Sequence, residues 1–119
     1  MKKLIYIVVP LIMFILLFAS CALFLPEAEV TITSTNVGDY GVGDWYMEIY
    51  YTIKNTGIYD IASYDITFEV TCTDSTVVTW EEWGGSLNIG DSYSSWCSVE
   101  TGSKIPDSAS VKNVVLEKM

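Results

Sequence analysis

Two stretches of strict alternation constrain this chain more than any other feature. Between Asp44 and Lys54, Trp45, Met47, Ile49, Tyr51 and Ile53 share one face of an extended chain, and Tyr46, Glu48, Tyr50, Thr52 and Lys54 share the other. Between Tyr64 and Thr73, the residues Tyr64, Ile66, Phe68, Val70 and Cys72 alternate in the same way with Asp65, Thr67, Glu69, Thr71 and Thr73. Successive side chains of a strand point to opposite sides, so period two with one apolar face predicts two half-buried β-strands.

Turn chemistry punctuates the rest of the chain. Asn55-Thr56-Gly57 follows the first run, Thr73-Asp74-Ser75 follows the second, and Gly84-Gly85 and Leu87-Asn88-Ile89-Gly90-Asp91 come later. Asn and Gly accept positive φ cheaply, and Asp bonds readily to its own backbone in a turn. Between these breaks lie Val30–Ser34, the β-branched run Thr76–Trp80, Tyr93–Val99 and Ser110–Lys118, each of strand composition. Six to seven short strands spaced by turns predict an all-β, antiparallel β-sandwich, with no helix after the leader.

Several of these residues carry a resemblance. Tyr51-Thr52-Ile53-Lys54-Asn55-Thr56-Gly57, then Ile66-Thr67-Phe68-Glu69-Val70, then Asp74, then Leu87-Asn88-Ile89-Gly90-Asp91 before a strand, resembles the small immunoglobulin-like domains of the FxLYD and CARDB type. The resemblance covers roughly residues 45 to 100. It implies an immunoglobulin-like, extracytoplasmic sandwich used in adhesion or structure, and it implies no catalytic residues.

The N-terminus gives the address. Met1-Lys2-Lys3 precedes an unbroken apolar run from Leu4 to Phe18, and Ala19-Ser20 precedes Cys21. A basic start, an apolar stretch and small residues form an export signal. With the cysteine immediately after, the segment resembles a bacterial lipoprotein signal, which implies a signal helix cut between Ser20 and Cys21 and a diacylglyceryl thioether on Cys21. The alternative is an uncut single-pass anchor over residues 4–25, since 22 residues (25 − 4 + 1) exceed the about 20 that a spanning helix needs. In either case Lys2 and Lys3 stay on the cytoplasmic side and the remainder is extracytoplasmic. The expected organisation is a signal peptide at 1–20, the lipidated cysteine and tether at 21–29, and one domain at 30–119. The anchor is expected in the cell membrane or the outer membrane.

Charge and composition remove several functions. Beyond residue 20 the chain keeps four lysines against 15 acidic residues, a formal charge of −11 (4 − 15), with no arginine or histidine. Such a surface repels phosphate backbones, which excludes nucleic acid as a partner. Without histidine there is neither Ser-His-Asp nor Cys-His chemistry. Glu81 and Glu82 are adjacent carboxylates, but neighbours in an extended chain point to opposite sides and cannot flank one bond. The chain therefore reads as non-enzymatic, with no cofactor and no metal site. Asp39, Asp44, Asp60, Asp74 and Asp91 raise the question of calcium, but their spacing matches no EF-hand, and aspartate is an ordinary turn residue.

Two features remain as candidate sites. Cys72 and Cys97 both fall on core-facing parities and lie in an oxidising compartment, so they are expected to form a disulfide. It would close a loop of 26 residues (97 − 72 + 1), worth roughly 3 to 4 kcal/mol by chain entropy. Tyr46, Tyr50, Trp83 and Trp96 are the candidate ligand-binding aromatics; parity turns Tyr46, Tyr50 and Trp96 towards solvent. The expected function is membrane attachment through the lipid and contact with a protein partner, for adhesion or envelope structure. The alternative is a carbohydrate-binding module on the cell surface.

Overall fold

The computed structural model of the chain describes residues 25–119. The leader, the cleavage position and Cys21 lie outside the described residues.

The alternating runs become strands at nearly the expected places. The elements are β1 (Ala28–Asp39), β2 (Trp45–Asn55), β3 (Ile61–Cys72), β4 (Val77–Gly84), β5 (Ser92–Gly102) and β6 (Pro106–Lys118). They form two antiparallel three-stranded sheets, β1-β2-β5 and β4-β3-β6, and there is no helix among the described residues. The sheets face one another, so that β1 lies against β6 along one margin and β5 against β4 along the other.

The central strands β2 and β3 supply most of the core, because only they have neighbours on both sides. Met47, Ile49, Tyr51 and Ile53 from β2 meet Ile61, Tyr64, Ile66, Phe68 and Val70 from β3, with Val99 and Cys97 from β5 and Leu87 from the β4–β5 loop. The Tyr51 and Phe68 ring centroids stand 5.1 Å apart across the gap between the sheets. Phe68 is fully buried, and burial of one such side chain contributes about 1.5–3 kcal/mol.

Connectivity sorts the loops to two ends. Ala28 pairs with Asn55, Ser92 with Lys54 and Lys118 with Ile61, which gathers the start of β1, the β2–β3 and β4–β5 loops and the end of β6. The opposite end carries the β1–β2, β3–β4 and β5–β6 loops, where Asp39 pairs with Trp45 and Cys72 with Pro106.

Two turn assignments acquire a different cause. Ser75, at φ 71°, is the residue with left-handed backbone in the β3–β4 turn, and Asp74 Oδ1 accepts the Thr76 amide at 3.0 Å. Asn55 is not a positive-φ residue. It is buried, its Nδ2 donates to the carbonyls of Tyr59 (2.7 Å) and Leu87 (3.0 Å), and its Oδ1 accepts the Gly57 amide (3.0 Å).

Candidate functional site

Two surfaces gather side chains that the core does not use. The first is the outer face of the β1-β2-β5 sheet. Outward residues of β2 and β5 meet in register there: Tyr46 with Glu100, Glu48 with Ser98, Tyr50 with Trp96 and Thr52 with Ser94. The Tyr50 and Trp96 rings lie 6.3 Å apart at 27° to one another, and 56% of Trp96 is exposed. The Thr52 and Ser94 hydroxyls hydrogen-bond at 2.8 Å beside them. The Tyr50 hydroxyl donates to Glu48 Oε2 at 3.0 Å, and that bond and the carboxylate's charge raise its pKa. Tyr46 continues the aromatic row in a different manner. Its phenol folds over Gly38, its register partner, where a Cβ would collide with the ring, and it packs on Tyr40 at 4.8 Å.

Tyr46, Tyr50 and Trp96 thus share a face as parity predicts, whereas Trp83 does not join them. Trp83 stands on the outer face of the β4-β3-β6 sheet, 76% exposed, in register with Asp65, whose other neighbour is Val115. These residues edge a shallow groove of about 510 Å³. One carboxylate oxygen of Asp65, Oδ1, is closed off from solvent there without a hydrogen-bond donor.

The second surface is an open cleft of about 500 Å³ between β4 and β5, where the two sheets part at one margin. It is built from inward-facing positions, with Tyr51 and Tyr64 buried at its floor and Glu82, Tyr93 and Ser95 nearer the open margin. β5 contributes Tyr93 and Ser95, β2 contributes Tyr51, β3 contributes Tyr64, and β4 contributes Glu82. Gly84 makes room for it, because a Cβ at that position would fall inside the Tyr64 phenol ring. Glu82 is the central polar group: Oε1 accepts the Trp80 indole N–H at 2.7 Å, and Oε2 accepts the Tyr51 hydroxyl at 3.5 Å. Burial, reinforced by the Glu82 charge, pushes the Tyr51 phenol up to about 12 and also raises that of Tyr64, so both stay protonated. Sequence reasoning missed this cleft. The one available signal was the parity of β4, which turns Glu82 inward and Glu81 outward.

The expected disulfide is not formed: Cys72 and Cys97 are both buried free thiols. Their inward parity is as expected, but they occupy different levels. Cys97, on β5, pairs with Ile49 in the middle of β2, whereas Cys72, on the opposite sheet, pairs with Pro106 at the end of β3 that carries the β3–β4 and β5–β6 loops. Burial pushes the Cys97 thiol up to about 12 and also raises that of Cys72.

Three of the turn aspartates are held by hydrogen bonds or an ion pair. Asp39 Oδ1 accepts the Gly41 amide, Asp60 Oδ1 accepts the Ile89 amide, and Asp74 pairs with Lys104 at 2.7 Å, which holds the Asp74 carboxyl well below the usual range. Among the described residues no three acidic or cysteine side chains converge as metal ligands.

No protein-family model matches the sequence, and no curated protein does. Among solved structures, that of a protein assigned as ApaA from Bordetella pertussis is similar at 14% identity and a TM-score of 0.48, covering 79% of this chain and 94% of that one. A likeness at this level carries no argument about the chain.

Proposed function

We propose that this chain is an exported lipoprotein in which an immunoglobulin-like β-sandwich, held to the membrane through Cys21, works by non-covalent contact with another macromolecule. The observation that carries the reading is the exposed Tyr50–Trp96 pair on the outer face of the β1-β2-β5 sheet. Neither ring contributes to the core, and two large aromatics side by side in water are the kind of surface that a partner covers.

The anchor fits the same picture. β1 begins at Ala28, seven positions after Cys21 (28 − 21), so even a fully extended tether reaches only about 25 Å. The end of the domain carrying Ala28 and Asn55 would face the bilayer. The β1–β2, β3–β4 and β5–β6 loops would face away, and the aromatic pair would look sideways. A protein partner, in adhesion or envelope structure, is the first reading. A glycan is the second, favoured by the near-parallel rings and the Thr52 and Ser94 hydroxyls beside them, since flat rings stack on the apolar faces of sugars.

Two measurements test this. The intact mass of the protein extracted from membranes is expected to show a chain starting at Cys21 with added acyl mass; an uncut, unacylated chain would replace the lipoprotein with a single-pass anchor. Binding of the labelled protein to isolated envelopes is expected to fall sharply in Trp96→Ala. Loss of binding after protease treatment of the envelopes identifies a protein partner, and loss after periodate identifies a glycan. Undiminished binding by Trp96→Ala would remove the outer face from the proposal.

A further inference from the structure

The cleft between β4 and β5 is separate from the aromatic face and opens at the margin of the fold rather than on a sheet surface. Its floor and walls are unusually rich in acceptors: the Glu82 carboxylate, the Tyr51, Tyr64 and Tyr93 hydroxyl oxygens, Ser95 and, at the rim, Asp91. Glu82 has no cationic partner, for among the described residues the ion pair is Lys104–Asp74 at the far end of the domain. A partly buried carboxylate without a counter-ion loses hydration that two neutral donors only partly restore, and each of its oxygens keeps a free lone pair.

We infer that this cleft is a binding site for a primary ammonium group, with Glu82 as its counter-ion and the phenols of Tyr51, Tyr64 and Tyr93 around it. The choice follows from chemistry. An anion is repelled by Glu82 and Asp91. A quaternary ammonium has no N–H to give to this ring of oxygens, whereas a primary ammonium carries three donors and no acceptor. A divalent metal lacks its ligands, because no three acidic or cysteine side chains converge among the described residues. The aromatic walls add cation–π attraction, and the formal charge of −9 concentrates cations around the chain. The cleft holds a group the size of a lysine side chain or one amino sugar, and either source presents the same ammonium. The inference concerns the folded domain and holds whether or not Cys21 is lipidated.

The test is titration of the full-length protein, in a non-ionic detergent, with Nα-acetyl-lysine methylamide and with glucosamine. Their neutral counterparts, the Nε-acetylated lysine derivative and N-acetylglucosamine, serve as controls. The Trp80 indole N–H reports occupancy in a nitrogen–proton correlation spectrum, because it shares the Glu82 carboxylate with the ligand. Saturable shifts of that signal are expected with at least one cationic probe and with neither neutral one. Lysine alone points to a protein partner, and glucosamine alone to an amino sugar. Glu82→Gln keeps the shape of the side chain and is expected to raise the dissociation constant about tenfold or more, while Asp107→Asn, the same loss of charge at an exposed position at the opposite end of the domain, leaves it unchanged. Added salt is expected to weaken binding to the unaltered protein, a readout independent of whether the variant folds. Equal binding of neutral and cationic probes, indifference to Glu82→Gln, or no saturable shift with either cationic probe would overturn the inference.

Discussion

Asn55 ties the two sheets together at one end, and its removal should be felt across the whole domain. The residue is 1% exposed, closes β2, and its side chain makes three hydrogen bonds: Nδ2 to the Tyr59 and Leu87 carbonyls, and Oδ1 from the Gly57 amide. Its backbone also bonds to the β4–β5 loop, with its amide donating to the Asp91 carbonyl at 2.9 Å. Asn55→Ala removes all three side-chain bonds and leaves the Leu87 carbonyl with its single bond from the Ile61 amide. At about 1 kcal/mol for each bond, the loss is about 3 kcal/mol. In a domain of this size each kcal/mol moves the thermal midpoint by roughly 4–8 °C, so a fall of about 12–24 °C is expected by circular dichroism. Asn55→Asp is the sharper probe, because it is nearly isosteric yet turns an anionic oxygen towards two carbonyls. Its folded pKa is therefore raised above the unfolded value of about 3.9. The folded state then binds the proton more tightly, so the variant is least impaired below about pH 4 and loses stability as pH rises. A fall of less than about 4 °C in Asn55→Ala, or an Asn55→Asp variant indifferent to pH, would refute the view that these bonds clamp the sheets.

Cys72 and Cys97 are expected to be unreactive to iodoacetamide in the native protein and both modified in denaturant, with a thermal midpoint indifferent to reductant; a mass two hydrogens short would contradict this. Alkali should unfold the domain: the Cys97 thiol rises from about 9, and the Tyr51 phenol from about 10, to about 12, so the folded state keeps both protons longer. Stability is then full below pH about 9 and declines towards pH 12 by up to about 1.4 kcal/mol per pH unit per group, and denaturant midpoints that stay flat from pH 8 to 11 would exclude it. Asp65→Val replaces a carboxylate whose Oδ1 is shielded without a donor by a residue suited to the centre of a sheet, and should raise stability by about 1 kcal/mol in urea titrations; a loss would mean that a donor occupies that groove. Gly84→Ala drives a methyl group into the Tyr64 ring and should cost about 1–3 kcal/mol in the same assay, whereas an unchanged midpoint would show that the ring does not depend on the gap.

The strands were legible because period two survives folding wherever one face is buried. Met47, Ile49, Tyr51 and Ile53 are all buried as their alternation requires, and so are Ile66, Phe68, Val70 and Cys72. Parity fixes the face of a residue but not its height along the partner sheet, and for that reason it brought Cys72 and Cys97 inward without revealing that they lie at different levels. Turn signals were read at the right places with an incomplete cause. Asn55 ends its strand through three side-chain bonds, two of which reach carbonyls 4 and 32 positions away, and the second of these is invisible to any local rule.

The cleft illustrates the same division more sharply, since Tyr51, Tyr64, Glu82, Tyr93 and Ser95 come from four strands and meet only because the sheets part between β4 and β5. One of its members could nevertheless have been found. The alternation that separates Glu81 from Glu82, and so removes them as a paired acid and base, also requires that one of the two carboxylates face the other sheet. β4 pairs Glu82 with the buried Ile66 and Glu81 with the outward Thr67, so Glu82 is the inward one. A carboxylate on the inner face of a small all-β domain must be neutralised, hydrogen-bonded or open to water. At Glu82 two donors and an open margin meet that requirement without neutralising the charge, and the uncompensated charge is what a ligand would use.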